Sequence, residues 1–417
     1  MKKIFLTIIV FLVGLPLASQ ESQFKQIAET LEKGNYIEVL GKLDKMPDSF
    51  EKYNYVAKVN ALLDRNRLAI EAYQQALALR YEPKATMKLA ALLKKTKQYD
   101  AALRLYESLH EKEVENMLVA YELGKLYLLK RKAKQALLVF QNLQKRDPTN
   151  ANYPYYKGIV FGLLGKNNKR IDSFLEAFQR DSSHVKVLEK LAVSYTLLND
   201  RDSAALFMEK GLRRAPHHFE LNKLQANARY RSGEFEKVVG QLKSLDSVRP
   251  NEHYIKKMLG RSLFKLKRYP EAREYFMVAR NLDRGDHKVY TYLGDIAFET
   301  KNYKRAALYY RMATWVGKDS RDAEYYRLAR TLSEQKKDLM AIKMYKKAMD
   351  ENRDNYRALY QLATKSESYY KDKKIAYEYY KMYIDRFESI DSLLTDHAKK
   401  RVLVIKKHYF QKGEILE

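Results

Sequence analysis

Small side chains recur along the chain at one interval. Ala57, Ala90, Gly124, Gly158, Ala192, Ala226, Gly260, Gly294, Ala329 and Ala363 stand 34 residues apart, except for 33 after Ala57 and 35 after Gly294. Twelve residues past most of them comes a second small or apolar residue: Ala69, Ala102, Ala136, Ala204, Val238, Ala272, Ala306, Ala341. Four residues on stands a large apolar one: Tyr73, Tyr106, Phe140, Met208, Leu242, Phe276, Tyr310, Tyr345. Three further on is another small or apolar residue, such as Ala76, Leu109, Gly211 or Ala348. Spacings of four and seven put these on one helical face. Each unit is therefore predicted to be two helices. The small residues let helix backbones approach, and the large one fills the groove between hairpins. Polar turns such as Lys97-Gln98-Tyr99-Asp100 and Lys301-Asn302-Tyr303 separate the two. Pro148, Pro216 and Pro250 fall just past second helices, where a residue without a backbone N–H ends a helix at little cost. A fixed period of this size predicts stacked helix pairs in one array, each repeat packed on its neighbours.

In this register the chain resembles the tetratricopeptide-repeat family over about residues 50–388. Tyr53, Tyr290 and Tyr325 stand where that motif often carries tryptophan. The resemblance implies an all-α fold: an α–α superhelix (a tetratricopeptide solenoid) of about ten to eleven hairpins with a C-terminal capping helix. It also implies a protein-binding module rather than a catalyst. Two repeats depart from the pattern. Arg170 replaces the expected alanine, and Gln225 and Arg229 replace apolar residues in the repeat from Phe219 to Glu252. Both units are expected to pack less tightly, and either is a place for the array to bend.

The ends differ from the middle, because a terminal repeat would leave an apolar side in water. Residues 1–19 read as a secretory signal peptide: Met1-Lys2-Lys3, then a mostly apolar Ile4 to Val13, then Gly14, Pro16 and Leu17-Ala18-Ser19 before Gln20. The apolar stretch is shorter than the roughly 20 residues that span a bilayer. No cysteine follows it, which excludes lipoprotein attachment. An exported protein follows, in the periplasm or on the periplasmic face of the outer membrane of a Gram-negative bacterium, with any membrane association peripheral or through an uncleaved signal. Residues 20–49 read as a degenerate hairpin cap turning at Gly34-Asn35-Tyr36. Residues 389–417 read as a capping helix and tail, with Leu393, Leu394, Val402 and Ile405 toward the array.

Charge changes the picture next. Lys plus Arg number 79 against 52 acids, a net +27. The excess points to an anionic partner. Nucleic acid is the usual partner of a basic chain, but an export signal argues against it. The absence of cysteine rules out disulfides, thiolate metal sites and a thiol nucleophile. No enzyme motif stands out. Gly158, Gly162 and Gly165 before Lys166 lack phosphate-loop spacing, and Asn167 stands where Ser or Thr should hold magnesium. His217 and His218 follow Pro216 in a predicted loop, as solvated turn residues. The expectation is a non-catalytic protein with no cofactor and no metal.

The resemblance places the second, fifth, ninth, twelfth and thirteenth residues of each unit on a concave groove lined by first helices. From the sixth clear repeat these places hold Lys223, Asn227, Tyr230 and Arg231, then Tyr254, Lys257, Arg261, Phe264 and Lys265, then Lys288 and Phe298, then Tyr326 and Arg330. Earlier repeats give a more apolar set: Tyr121, Lys125, Leu128, Tyr155, Ile159. Basic and aromatic residues interleaved on one face suit a partner protein with an acidic segment. An acidic glycan or lipid head groups are the alternative. Lys257, Arg261 and Lys265, four residues apart, form a column of like charge with no acid in the same register. A two-carboxylate clamp known in the family is matched only by Lys223, Asn227 and Lys288, with Met258 and Tyr292 in the wrong places.

Overall fold

The computed structural model describes residues 22–318 and 320–416, so the export signal expected over residues 1–19 lies outside the described residues. Among the described residues there are helices and turns and no strand. They divide into two compact units, one ending at Phe207 and one beginning at Met208.

In the first unit, helix α1 (residues 22–32) turns through Gly34, at φ +78°, into α2 (Tyr36–Asp44). First helices α3 (Phe50–Leu62), α5 (Pro83–Lys95), α7 (Met117–Leu129), α9 (Asn152–Leu163) and α11 (Val185–Leu197) then alternate with second helices α4 (Asn66–Leu79), α6 (Tyr99–Lys112), α8 (Ala133–Arg146) and α10 (Asn167–Arg180). Helix α12 (Arg201–Arg214) carries the division between the units. The second unit continues with first helices α13 (Phe219–Arg231), α15 (His253–Lys265), α17 (His287–Glu299), α19 (Asp322–Glu334) and α21 (Tyr356–Tyr369). Its second helices are α14 (Phe235–Val248), α16 (Tyr269–Leu282), α18 (Tyr303–Val316), α20 (Asp338–Glu351) and α22 (Lys374–Phe387), and α23 (Ser392–Phe410) closes it.

The recurring small residues do what their spacing predicts. A Cβ on Gly260 would lie 2.9 Å from the Phe276 ring, and one on Gly294 would lie 2.6 Å from Tyr310. Each glycine of this set is thus filled by the large residue sixteen places on. At Arg170 a glycine on the paired helix makes the space, and the arginine Nε is buried without a hydrogen-bond partner. The arginine's Cδ lies 3.2 Å from where a Gly162 Cβ would be, so a glycine on α9 accommodates the larger side chain on α10. The Gln225/Arg229 repeat replaces apolar contact with hydrogen bonds. Arg229 donates to Gln241 Oε1 at 2.9 Å, and Gln241 donates to Asn222 Oδ1 at 2.8 Å. In the last hairpin the turn is one residue longer, so Ala376, Tyr380 and Tyr383 take the buried roles one place late. On α23 the buried stripe is Thr395, Ala398, Ile405 and Tyr409. Leu393, expected to face the array, is 81% exposed, because it sits off that stripe in the first turn.

Every first helix from α3 to α19 ends in the same way. Seven places past the small residue the chain turns left-handed: Asp64, Lys97, Arg131, Gly165, Asn199, Gly233, Lys267, Lys301 and Lys336 all have positive φ. Two backbone bonds close each turn, as where Gln98 N–H reaches Leu93 O at 2.8 Å and Lys97 N–H reaches Lys94 O at 3.1 Å. A side chain in this conformation costs roughly 1–2 kcal/mol, partly offset by the unfolded-state entropy that glycine adds. Lys97→Gly, Lys301→Gly and Lys336→Gly are each expected to stabilise the fold by about 0.5–1 kcal/mol. Chemical denaturation checks this, and a loss of stability at all three would refute the strain assigned to these turns.

Candidate partner-binding site

The site predicted from sequence falls within the second unit. Its residues lie on α13, α15, α17 and α19, and side-chain contacts join these first helices into one continuous face. Tyr254 Oη on α15 donates to the Lys223 carbonyl on α13 at 3.1 Å. The Arg261 guanidinium lies over the Tyr230 ring, 4.4 Å from its centroid. Phe264 packs at 5.7 Å against Tyr292 of α17, and Tyr292 stacks on Phe276 at 5.0 Å. Arg330 of α19 lies over Phe298 of α17 at 5.0 Å. Burial raises the Tyr254 hydroxyl pKa, so this phenol is a neutral donor at any physiological pH.

The expected column of unpaired charge does not form. Lys257 is paired with Asp286, the N-cap of α17, and His253 Nε2 lies 3.4 Å from the same carboxylate. Arg261 is spent on Tyr230, so only Lys265 of the three stands exposed. The reason is spatial. The next first helix brings its capping acid against Lys257 from 29 residues away, which spacing along one helix does not reveal. Lys223 has its own acid, Glu220, at 3.6 Å. Arg231, Lys265, Lys288 and Arg330 remain exposed with no carboxylate in reach among the described residues. Tyr254 and Phe264 are half-buried packing between first helices, Tyr326 is half-buried against Tyr345 of the second helix α20, with ring centroids 5.8 Å apart, and Asn227 is half-buried.

Between α15, α17 and α19 the face opens into a hollow of about 90 Å³, lined by Phe264, Phe298, Tyr310, Asp295, Glu299, Arg327 and Arg330. Tyr310 Oη donates to Asp295 Oδ1 at 2.7 Å, and Arg327 Nε donates to the same oxygen at 3.1 Å. Asp295 and Arg327 were not among the expected residues. The repeat register itself could have found Asp295, which stands at the ninth, groove-facing place of its unit. His218, expected as a solvated turn residue, caps α13 by accepting from Leu221 N–H at 3.4 Å.

Two half-buried acids of this face titrate in opposite senses. Burial alone would raise Asp286, but the hydrogen bond and charge of Lys257 hold its pKa below 3.8. Burial dominates at Asp295 and raises its pKa above 3.8 despite Arg327. The Asp286 contribution is present above 3.8 and lost as pH falls through its depressed pKa; the Asp295 contribution is present below 3.8 and lost as pH rises through its raised pKa. Asp286→Asn is therefore expected to make stability rise less steeply with pH below 3.8, and Asp295→Asn more steeply above it. Denaturation at a series of acidic pH values reads both slopes, and equal slopes in the two variants would contradict the assignment.

Comparison with known proteins agrees with the repeat register. Tetratricopeptide-repeat sequence profiles match residues 87–151 and 257–323, and a further one matches 325–355. The chain is a tetratricopeptide-repeat protein. Such repeats generally build scaffolds that bind other proteins, and this chain is a repeat-based protein-interaction scaffold. No curated protein matches it in sequence. Similar solved structures include a tetratricopeptide repeat protein from Parabacteroides merdae, with 15% identity over 60% of this chain and 98% of that one and a TM-score of 0.41. Others are PilF of Pseudomonas aeruginosa (16% identity, 53% and 99% covered, TM-score 0.44) and MamA from residue 41 onward of Desulfovibrio magneticus (16%, 42% and 99%, 0.39).

Proposed function

We propose that this protein is an exported scaffold of the bacterial cell envelope that holds an acidic segment of a partner protein on the first-helix face of α13 to α19. The observation that carries the reading is the set of exposed, unpaired cations on four successive first helices: Arg231, Lys265, Lys288 and Arg330. Beside them lie Phe264, Phe298 and the hollow they line. Carboxylates of the partner meet the free cations, and one apolar side chain enters the hollow. Charge brings the partner in and sets its orientation, while the aromatic contact supplies the rest of the affinity. The export signal read at residues 1–19 supports the envelope setting.

An acidic polymer is the second reading, favoured by the chain's +27 charge. Salt separates the two. Partner capture from envelope extract, repeated across a salt series, is expected to weaken gently, because an anchored aromatic contact is not screened. Collapse of all capture at moderate salt, with polyglutamate or an acidic glycan competing fully, would replace the protein partner by a polymer.

A further inference from the structure

The fifth residue past each small residue, in the last turn of the first helix, is exposed in repeat after repeat. In the second unit it is charged: Arg231 on α13, Lys265 on α15, Glu299 on α17 and Glu334 on α19. In the first unit it is mostly leucine. Leu129, Leu163 and Leu197, on the consecutive first helices α7, α9 and α11, are 53, 47 and 68% exposed, and Leu198 follows at 54%. The fold does not call for leucine there, since charged residues fill the same place elsewhere. Three successive exposed leucines in one register mark a surface that meets something.

Bases accompany them. Successive turns lie within side-chain reach, since Lys95 Nζ meets Asp64 at 2.6 Å and Lys130 Nζ meets Asp100 at 2.7 Å. Among the described residues no such pair joins the turns after α9 and α11 to their neighbours. Arg131, Lys166, Lys169 and Arg201 are exposed and have no carboxylate in reach among the described residues. The edge formed by these turns therefore carries leucines with free cations after α7 and α9, and Leu197, Leu198 and Arg201 together with the exposed acids Asp200 and Asp202 after α11.

We propose that this edge rests on an anionic lipid surface, with the leucines entering the headgroup layer and the cations meeting phosphates. A protein partner is met by a contiguous apolar centre with charge at its rim. Here the leucines of one turn are separated from those of the next by polar and basic residues. A bilayer interface accepts scattered apolar side chains and attracts adjacent Lys and Arg. Among the described residues no helix is long and apolar enough to cross a membrane, so contact by this edge is peripheral. The leucines stand at the place that Arg231 and Lys265 take in the second unit, but the proposal concerns the first unit and its test uses none of the partner-site residues.

Co-sedimentation of the full chain with vesicles tests it. Binding is expected to equal mixtures of phosphatidylglycerol and phosphatidylcholine, and not to phosphatidylcholine alone. Leu129→Ser with Leu163→Ser and Leu197→Ser leaves net charge unchanged and is expected to weaken binding about tenfold, through lost apolar insertion. Lys267→Gln, Lys301→Gln and Lys336→Gln remove three cations from turns of the second unit and are expected to change it little. Unchanged circular dichroism in each variant keeps the comparison one of surfaces. No binding to the anionic mixture, or leucine variants that bind like the parent, would overturn the proposal. So would an amphipathic peptide of leucines and glutamates that protects this edge from hydrogen exchange when vesicles do not bind.

Discussion

Gly260→Leu is expected to cost about 3 kcal/mol, the upper part of the usual overpacking range. The Phe276 ring already lies 2.9 Å from where a Cβ would sit. It cannot swing aside, because it stacks on Tyr292 at 5.0 Å and Tyr292 packs on Phe264. In a stack of repeats each unit depends on its neighbours, so the damage is local first. Amide exchange is expected to quicken in α15, α16 and α17 before it does in α3 or α5. Gly294→Leu is expected to act alike, since the Tyr310 ring facing it is held by its hydrogen bond to Asp295. Gly240 is the control. Nothing lies within 4 Å of its Cβ position, so Gly240→Leu is expected to be tolerated. Truncating the facing ring with Phe276→Ala is expected to recover part of the loss in Gly260→Leu. If Gly260→Leu melts like the parent, the register of small and large residues is wrong.

Arg231→Glu with Lys265→Glu and Lys288→Glu is expected to weaken partner binding by roughly hundredfold, about 3 kcal/mol, if each reversal contributes about 1 kcal/mol. These three cations are exposed and carry no ion pair among the described residues, so reversing them leaves the folded chain intact. Reversing Lys257 would not be a clean test. It would set a glutamate against Asp286 and disturb the contact between α15 and α17. Arg311→Glu with Lys343→Glu, on the exposed sides of second helices, changes net charge without touching the first-helix face. Equal loss from both sets would mean that net charge, rather than this face, carries recognition. The first set should mainly slow association, because rim charge acts on encounter more than on residence.

The sequence made the repeats legible because helix packing demands a small residue at one place in every unit. Gly260 with Phe276 and Gly294 with Tyr310 could be paired by counting alone. The left-handed turn after each first helix was harder to see. Glycine marks it at Gly165 and Gly233, but Lys97, Arg131 and Lys301 hold the same backbone with residues that do not advertise it. Compensation between positions is also hidden in the sequence: Arg170 breaks the small-residue pattern, and Gly162, eight places before it, makes room for it. The candidate site was legible as a set of places and not as a set of pairings. Lys257 and Arg261 stand where spacing predicts, yet their partners, Asp286 and Tyr230, come from adjoining repeats. Side chains on one helix can be read from its own sequence, whereas what the next helix carries to them depends on the stacking of the array.

Site-specific photo-crosslinking in the native host tests the central claim most directly. A photoreactive phenylalanine placed at Phe298, Tyr326 or Lys288, on the first-helix face of the second unit, is expected to capture one and the same partner protein. The same probe at Arg311 or Lys343, on second helices, is expected to capture none. Capture of that partner from the second-helix positions and not from the first-helix positions would contradict the account.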